Sequence, residues 1–582
     1  MNVLGCATGY DEVDDDDGES KEREELVLNI VTMVISMGMI ALITIAVVAN
    51  LDGSRQGAGT MKTLLYVCKK TDEPDSCVRH LKHVGERAPI LDYVKAAINA
   101  TLDELQVVNM PKLDLETNLT PLQAQAYGDC LQLLTLAKEE LDSLYTTLSM
   151  LPFTNPQDVL NSLSAVISYQ QACSAGLMRT NSYELLGFSL KRPIRLTRIA
   201  LAIVDNFSYS GSEKHSTDDH DHDHEHQLDG SSAWFSGAQR KMMEYQRNGD
   251  DEVIDAVVAQ DGSGHFSTIS ESLNACPKNS EGVGKAESPC VIYVKTGKYE
   301  ERVVVPKDVG QVIMYGDGPM NTTVTGISTR DHKISTTHFR AATFVVMGKE
   351  FICKNMGFTA PVNITGAPAL LVLSDHAAFF NCKIDGEEGS LHAMAQRQFY
   401  RDCEIHGNVD IIKGDSATVI QNSQIIVKPR NSLDLVLRRN MVSAQSRSDK
   451  YETTGLVIQN CTIATAQAES GNKSLAGSTY LGTPHTEYSR TIIMESFLGD
   501  VIHPEGWCKW SDNYGIDTAT FREYNNRGPG ANTTKRVRWN TYKTVYERNQ
   551  MKSFLAAEFI IQSGQWLQNA GIPYESGFIY KK

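Results

Sequence analysis

A short pattern returns along the C-terminal half of this chain: an apolar pair, a spacer, Asn or Asp, a small residue, any residue, then an aliphatic. It reads Phe379-Phe380-Asn381-Cys382-Lys383-Ile384 and Phe399-Tyr400-Arg401-Asp402-Cys403-Glu404-Ile405. It returns as Val419-Ile420-Gln421-Asn422-Ser423-Gln424-Ile425 and Val457-Ile458-Gln459-Asn460-Cys461-Thr462-Ile463, with a weaker copy at Lys354-Asn355-Met356-Gly357-Phe358. The polar positions 355, 381, 402 and 422 are 26, 21 and 20 residues apart. A fixed period of that size means stacked coils, each packing on the next. A leucine-rich repeat is the rival, but its Leu-x-x-Leu-x-Leu signature is missing. A parallel β-helix is therefore expected over residues 252–582. The longer step from 422 to 460 implies an inserted loop. Cys382, Cys403 and Cys461 occupy the small position of the ladder and read as core thiols rather than disulfides.

The rest of the chain has a different character. With 582 residues, two to four units are expected. Residues 60–208 read as helical: strand alternation is scarce, and Leu131 to Leu141 carries apolar residues at helical spacing. Residues 26–51 include an uncharged apolar run, Ile30 to Val48, long enough to span a bilayer. Its rivals are a buried core helix and a cleaved signal peptide. The acidic tail, residues 1–25, is unlike a short basic leader, so a transmembrane signal-anchor is the reading. Residues 211–248 form a linker in which five His alternate with Asp and Glu. It is either a solvated acidic tether or a weak zinc-binding, pH-sensitive one. Arg240-Lys241, a basic pair followed by Met242-Met243, lies within it. A net charge of −16 argues against nucleic acid as a partner.

Beyond the anchor lie eleven of the twelve Cys and eight Asn-x-Ser/Thr sequons, at Asn99, Asn118, Asn206, Asn321, Asn363, Asn460, Asn472 and Asn532. Both features place the bulk of the chain in the secretory lumen or the extracellular wall, as a disulfide-bonded glycoprotein.

Two sets of motifs carry a family resemblance. The spacing Cys68-x8-Cys77 around Pro74, followed by Tyr169-Gln170-Gln171-Ala172-Cys173, resembles the plant invertase and pectin methylesterase inhibitor family. That resemblance implies a four-helix bundle with Cys68 paired to Cys77 and Cys130 to Cys173. The blocks Val257 to Phe266, Gly297-Lys298-Tyr299-Glu300-Glu301, Met441 to Asp449, Gly506-Trp507-Cys508-Lys509-Trp510 and Gly571-Ile572-Pro573-Tyr574 resemble pectin methylesterases. This second resemblance implies an all-β right-handed parallel β-helix acting on the methyl esters of homogalacturonan in the cell wall. It implies no metal and no organic cofactor, pectin as partner, and an intramolecular or intermolecular contact between inhibitor and esterase.

The family's reaction uses one Asp as nucleophile, a second as acid and then base, two Gln at the oxyanion and an Arg that fixes the nucleophile. In Gly407-Asn408-Val409-Asp410-Ile411-Ile412-Lys413-Gly414, Asp410 stands at the nucleophile position. Counting without a gap from Cys382 to Arg397, Gly389 replaces the acid and Glu388 replaces an oxyanion Gln. Counting back through Asp375, Gly366 replaces the other Gln. In Leu481-Gly482-Thr483-Pro484-His485, Thr483 replaces the Arg and His485 a sugar-stacking Trp. Gln445 and Trp507 complete the expected substrate-binding set. Strand alternation would point Glu388 away from the acid's position; it, His392 and His485 are candidate substitute proton carriers. The expectation is a catalytically impaired pectinesterase. The alternative is a non-catalytic pectin-binding or esterase-inhibiting protein.

Overall fold

The computed structural model describes residues 62–580, except 109–118, 209–253, 279–288, 328–336, 430–438, 466–474 and a few isolated positions. The expected tail (1–25), anchor (26–51) and linker (211–248) with Arg240-Lys241 thus lie outside the described residues. Among the described residues, no helix is long and apolar enough to cross a membrane.

The C-terminal part is built of three parallel sheets of eleven, seven and eight strands. From Cys290–Val294 to Thr520–Tyr524, consecutive strands fall in different sheets, and neighbours within a sheet come from successive coils. In the eleven-strand sheet, Ala377–Phe380 pairs with Arg397–Arg401, which pairs with Ala417–Gln421 and then Gly455–Gln459. The expected parallel β-helix is what this order describes. Residues of the repeat fall in register: Phe379 opposite Tyr400, and Gln421 opposite Gln459. The 38-residue step therefore leaves the ladder intact, and its excess leaves between Val427 and Asn440.

The Asn or Asp of the repeat has a backbone reason. Asn355, Asn381, Asp402, Asn422 and Asn460 all have φ between 50° and 57°, where a short polar side chain is tolerated best. Each turns the chain from the eleven-strand sheet into the eight-strand one. Asn381 Nδ2 donates to Asn355 Oδ1 at 2.7 Å, so these turns also stack. The nearby Cys353, Cys382, Cys403 and Cys461 are free thiols buried in the ladder.

The N-terminal part is helical: α1 (Lys62–Lys69), α2 (Pro74–Leu81), α3 (Ile90–Val108), α4 (Pro121–Met150), α5 (Pro156–Arg179) and α6 (Tyr183–Ser208). Four long helices follow a short hairpin. Thr120 caps α4 with a capping box closed by Gln123, and Asn155 caps α5 ahead of Pro156. Disulfides join Cys68 to Cys77 across the hairpin and Cys130 to Cys173 between α4 and α5. A third joins Cys276 to Cys290, a pair left unassigned from sequence.

The two parts share a hydrophobic cluster. Along the seven-strand sheet, Phe344, Val346, Leu370 and Val372 point into the β-helix core. The alternate residues Val345 and Leu371 join Leu373, Met394 and Ala395 against the helices. Polar bonds border the contact: Asp129 with Arg340, Asp158 with Arg397, and Ser168 with the backbone and carboxylate of Asp415.

Candidate functional site

The register of the seven-strand sheet builds an outward row, Val345–Leu371–His392–Lys413–Ala444, one residue per coil. The first two are apolar and covered by helices. His392 and Lys413 follow where that cover gives way to a cavity of about 1470 Å³, walled by both parts of the chain. Leu391 and Ile412 beside them face the core, so the strand pleat forces His392 and Lys413 outward.

Asp410 lines this cavity, and so do Glu388, His392, Thr483 and His485. Glu388 bridges to Val409 on the next coil, so Gly389 stacks directly below Asp410. The positions expected for the nucleophile and the acid are thus adjacent. Simple alternation points Glu388 away, yet it is on the cavity wall. Gly389 at φ +62° breaks the extended backbone there and with it the alternation.

The spaces left by two small residues are filled. A Cβ on Gly389 would lie 2.5 Å from both Cε and Nζ of Lys413. A Cβ on Gly366 would lie 2.8 Å from Nε2 of His338. Arg179, the last residue of α5, approaches Nδ1 of the same His338 at 2.8 Å through its NH1, and Lys413 Nζ approaches it at 3.3 Å. Arg and Lys only donate, so this assigns Nδ1 as acceptor and places the ring proton on Nε2, facing Gly366.

Thr483 is wholly buried, and its hydroxyl has no partner among the described residues. Being neutral, it supplies no charge to Asp410. His485 Nδ1 is 3.0 Å from the Ser446 hydroxyl, and its ring meets Trp510 edge-on at 4.8 Å. Burial, then the charges of Arg179 and Lys413, hold the His485 imidazole down to about 4. His392 is pushed well below its ordinary value by burial, then by Lys413, His338, Arg179 and His485. Both rings are neutral at neutral pH and could accept a proton only in acid.

Of two further expected substrate contacts, Trp507 borders the cavity but is fully buried, and Gln445 does not line it. Trp507 is 0% exposed, stacks on Phe521 at 4.4 Å and donates from Nε1 to Glu523. Its indole borders the cavity but is packed into the core, with no exposed face for a sugar to stack on. Trp510, three residues on, is 52% exposed and lines the cavity. Gln445 is buried; its Oε1 accepts from the amides of Arg447 and Arg490, and its Nε2 reaches Asp415 at 3.4 Å. It holds strands together instead of facing the cavity. Sequence reasoning missed Lys413, His338 and Arg179. Lys413 alone left a trace, a charge among apolar neighbours in Ile411-Ile412-Lys413.

The depressed His485 gives a stability test. Its unfolded value is near 6.5, so between about pH 6.5 and 4 the unfolded chain binds the extra proton. The stability contributed is present above that range and lost as pH falls through it; protonating the ring in place costs about 3 kcal/mol. Urea midpoints at pH 7 and 4.5 should therefore fall less for His485→Gln than for the wild type. An equal fall in both would contradict this.

Residues 255–564 match the Pectinesterase family, and residues 62–203 match the family described as plant invertase/pectin methylesterase inhibitor. An Arabidopsis thaliana protein of the pectinesterase/pectinesterase inhibitor type is 33% identical over 97% of this chain and 76% of the relative. A pectinesterase of Petunia integrifolia is 40% identical over 56% of this chain and 84% of the relative. The solved pectin methylesterase from carrot is similar at 35% identity and a TM-score of 0.51, over 56% of this chain and all of that one. With a β-helix of pectinesterase sequence joined to a disulfide-bonded helical domain of inhibitor sequence, this chain belongs to the pectinesterase family.

Proposed function

We propose that this protein acts on cell-wall pectin as a catalytically impaired pectinesterase, whose groove binds homogalacturonan and cleaves its methyl esters slowly or not at all. The observation that carries the reading is the Lys413 ammonium standing where a carboxyl at residue 389 would begin. Asp410 remains as a nucleophile, but Gly389 has no proton for the leaving methoxide. Loss of general acid help costs about 10²–10⁴ in rate, and loss of an oxyanion donor about 10²–10³. Such terms overlap rather than multiply. Glu388, His392 and His485 are proton carriers that remain at the cavity, and Thr483 offers Asp410 no charge in place of the family's Arg.

In this reading residues 60–208 are the inhibitor-like domain and residues 252–582 the esterase-like one. The acidic tail and the 26–51 anchor hold the chain in the secretory pathway as a single-pass glycoprotein, with its bulk lumenal or in the wall.

A second reading is favoured by the helices over the seven-strand sheet. Arg179 of α5 reaches into the cavity that Asp410 lines, so the inhibitor-like domain would restrain an esterase. Methanol release from esterified pectin separates the two. The impaired reading expects background rates from both the full chain and residues 252–582. A fragment far faster than the full chain would favour restraint and overturn impairment.

A further inference from the structure

We propose that Asn99, Asn321 and Asn532 each carry an N-linked glycan in the folded protein, and that the sequons at Asn206 and Asn460 stay bare. The inference rests on the secretory reading of the chain and goes beyond it by naming which of the eight sequons the fold holds in modified form. Asn118, Asn363 and Asn472 lie outside the described residues.

The chemistry sets the requirement. The Asn Nδ2 attacks the anomeric carbon of an N-acetylglucosamine held by a lipid diphosphate. A C–N bond forms, the bond from that carbon to the diphosphate oxygen breaks, and the lipid diphosphate leaves with the electron pair. One amide proton is lost and one stays on the nitrogen. Transfer meets the chain before it folds, so the sequon alone admits every site. The fold then decides which modified chains survive. The sugar is bulky and needs solvent, and the nitrogen keeps a single proton to donate.

Asn532 is exposed, and its Oδ1 accepts from the Thr534 amide at 3.0 Å and from the Thr534 hydroxyl at 2.8 Å. The sequon is thus closed into a turn through its oxygen, and Nδ2 has no hydrogen bond among the described residues. Asn99 is exposed on α3, and its side chain has no hydrogen bond among the described residues. Its sequon partner Thr101 is wholly buried and bonds the Ala97 carbonyl, so the glycan site faces out while the rest of the motif faces in. Asn321 is exposed and donates once, to the Asp317 carbonyl at 3.1 Å; the proton left after transfer suffices for that bond.

Asn460 and Asn206 are used by the fold. Asn460 is a rung of the polar ladder between coils, at φ 51°. Its Nδ2 donates to Asn422 Oδ1, and its Oδ1 accepts from the Tyr580 hydroxyl at 3.0 Å. Neighbouring strands lie about 4.8 Å apart, so a sugar on that nitrogen would part the stacked turns. Asn206 is half-buried, and its Nδ2 donates to the Ala202 carbonyl at 2.8 Å and to the Lys70 carbonyl at 3.4 Å, tying α6 to the α1–α2 hairpin. A sugar there would break one of these bonds and push helix and hairpin apart.

Glycopeptide mass mapping of the full chain, secreted from plant cells, tests the assignment. Peptides containing Asn99, Asn321 and Asn532 should carry N-acetylglucosamine, and those containing Asn206 and Asn460 should be unmodified. Thr101→Val, Thr323→Val and Thr534→Val each remove a sequon while keeping its Asn, and each should raise gel mobility by one glycan. Thr462→Val should leave mobility unchanged. If Thr101→Val does not fold, Asn99→Gln gives the same reading. A glycan on Asn206 or Asn460 in the secreted chain, or any of the three exposed Asn left bare, would overturn the assignment while leaving the secretory reading intact. A chain with no glycan at all would sink both.

Discussion

Methanol release from esterified pectin is expected to stay near background in the variant that carries Gly389→Asp, Gly366→Gln, Glu388→Gln and Thr483→Arg together. It should rise by about 10²-fold or more only when Lys413→Gln and His338→Ala are added. The reason is steric and electrostatic. A Cβ at residue 389 meets the end of the Lys413 side chain at 2.5 Å. The lysine can swing aside, but its ammonium then pairs with the new carboxylate. An opposite charge that close lowers a carboxyl by about 1–3 pH units, so the introduced carboxyl would be ionised and have no proton for methoxide. Glutamine at position 366 faces two obstacles. Gly366 has φ +73°, a conformation that costs an L-residue about 1–2 kcal/mol, and the new Cβ would lie 2.8 Å from His338 Nε2. Removing the Lys413 and His338 side chains clears both spaces. Robust turnover by the four-substitution variant alone would show that Lys413 does not disable the acid position.

Replacing Arg397 by Ala should destabilise the protein by about 3–5 kcal/mol. Arg397 is nearly buried, and it holds Asp375 through two bonds at 3.0 and 2.7 Å. Its NH1 also reaches Asp158 of α5 at 2.7 Å, so one guanidinium ties a β-helix carboxylate to the inhibitor-like domain. Truncation leaves Asp375, whose side chain is only 14% exposed, without its two guanidinium bonds and with only the weaker influence of His376 and Lys349. Asp158 is about half-exposed, and Asp158→Ala should cost about 1 kcal/mol or less. Urea unfolding of both variants beside wild type measures the difference. Similar losses from the two would mean that the Asp375 pair contributes little and that the domain contact dominates.

The period of the repeat was readable because one residue type marks one backbone requirement. Asn and Asp recur where φ must be near +50°, and Cys or Ser follows in most coils, where neighbouring coils leave little room. The inserted loop was readable for the same reason, since Asn422 and Asn460 still mark adjacent coils. The pairs Cys68–Cys77 and Cys130–Cys173 followed from family resemblance. Cys276 and Cys290 flank a segment without periodicity, so nothing local announced their bond.

The site was legible only in part. Counting along the chain identified Gly389, Gly366 and Thr483 as small or neutral residues at expected functional positions. What fills their place comes from the next coil, as with Lys413, or from a distant segment, as with His338 and Arg179. Linear spacing carries no such information. Trp507 and Trp510 show the same limit. They share one motif and both border the cavity, yet Trp507 bridges to Gly482 and is wholly buried, while Trp510 is half-exposed.

The central claim is that Asp410 stands without the groups that would make it an effective nucleophile. It is tested most directly by methanol release from highly esterified pectin, comparing purified residues 252–582 with the same fragment carrying Asp410→Ala. The account predicts equal, near-background rates from two folded proteins. Sustained turnover by the unmodified fragment that Asp410→Ala abolishes would contradict it, and would identify Glu388 or a cavity histidine as the acid in use.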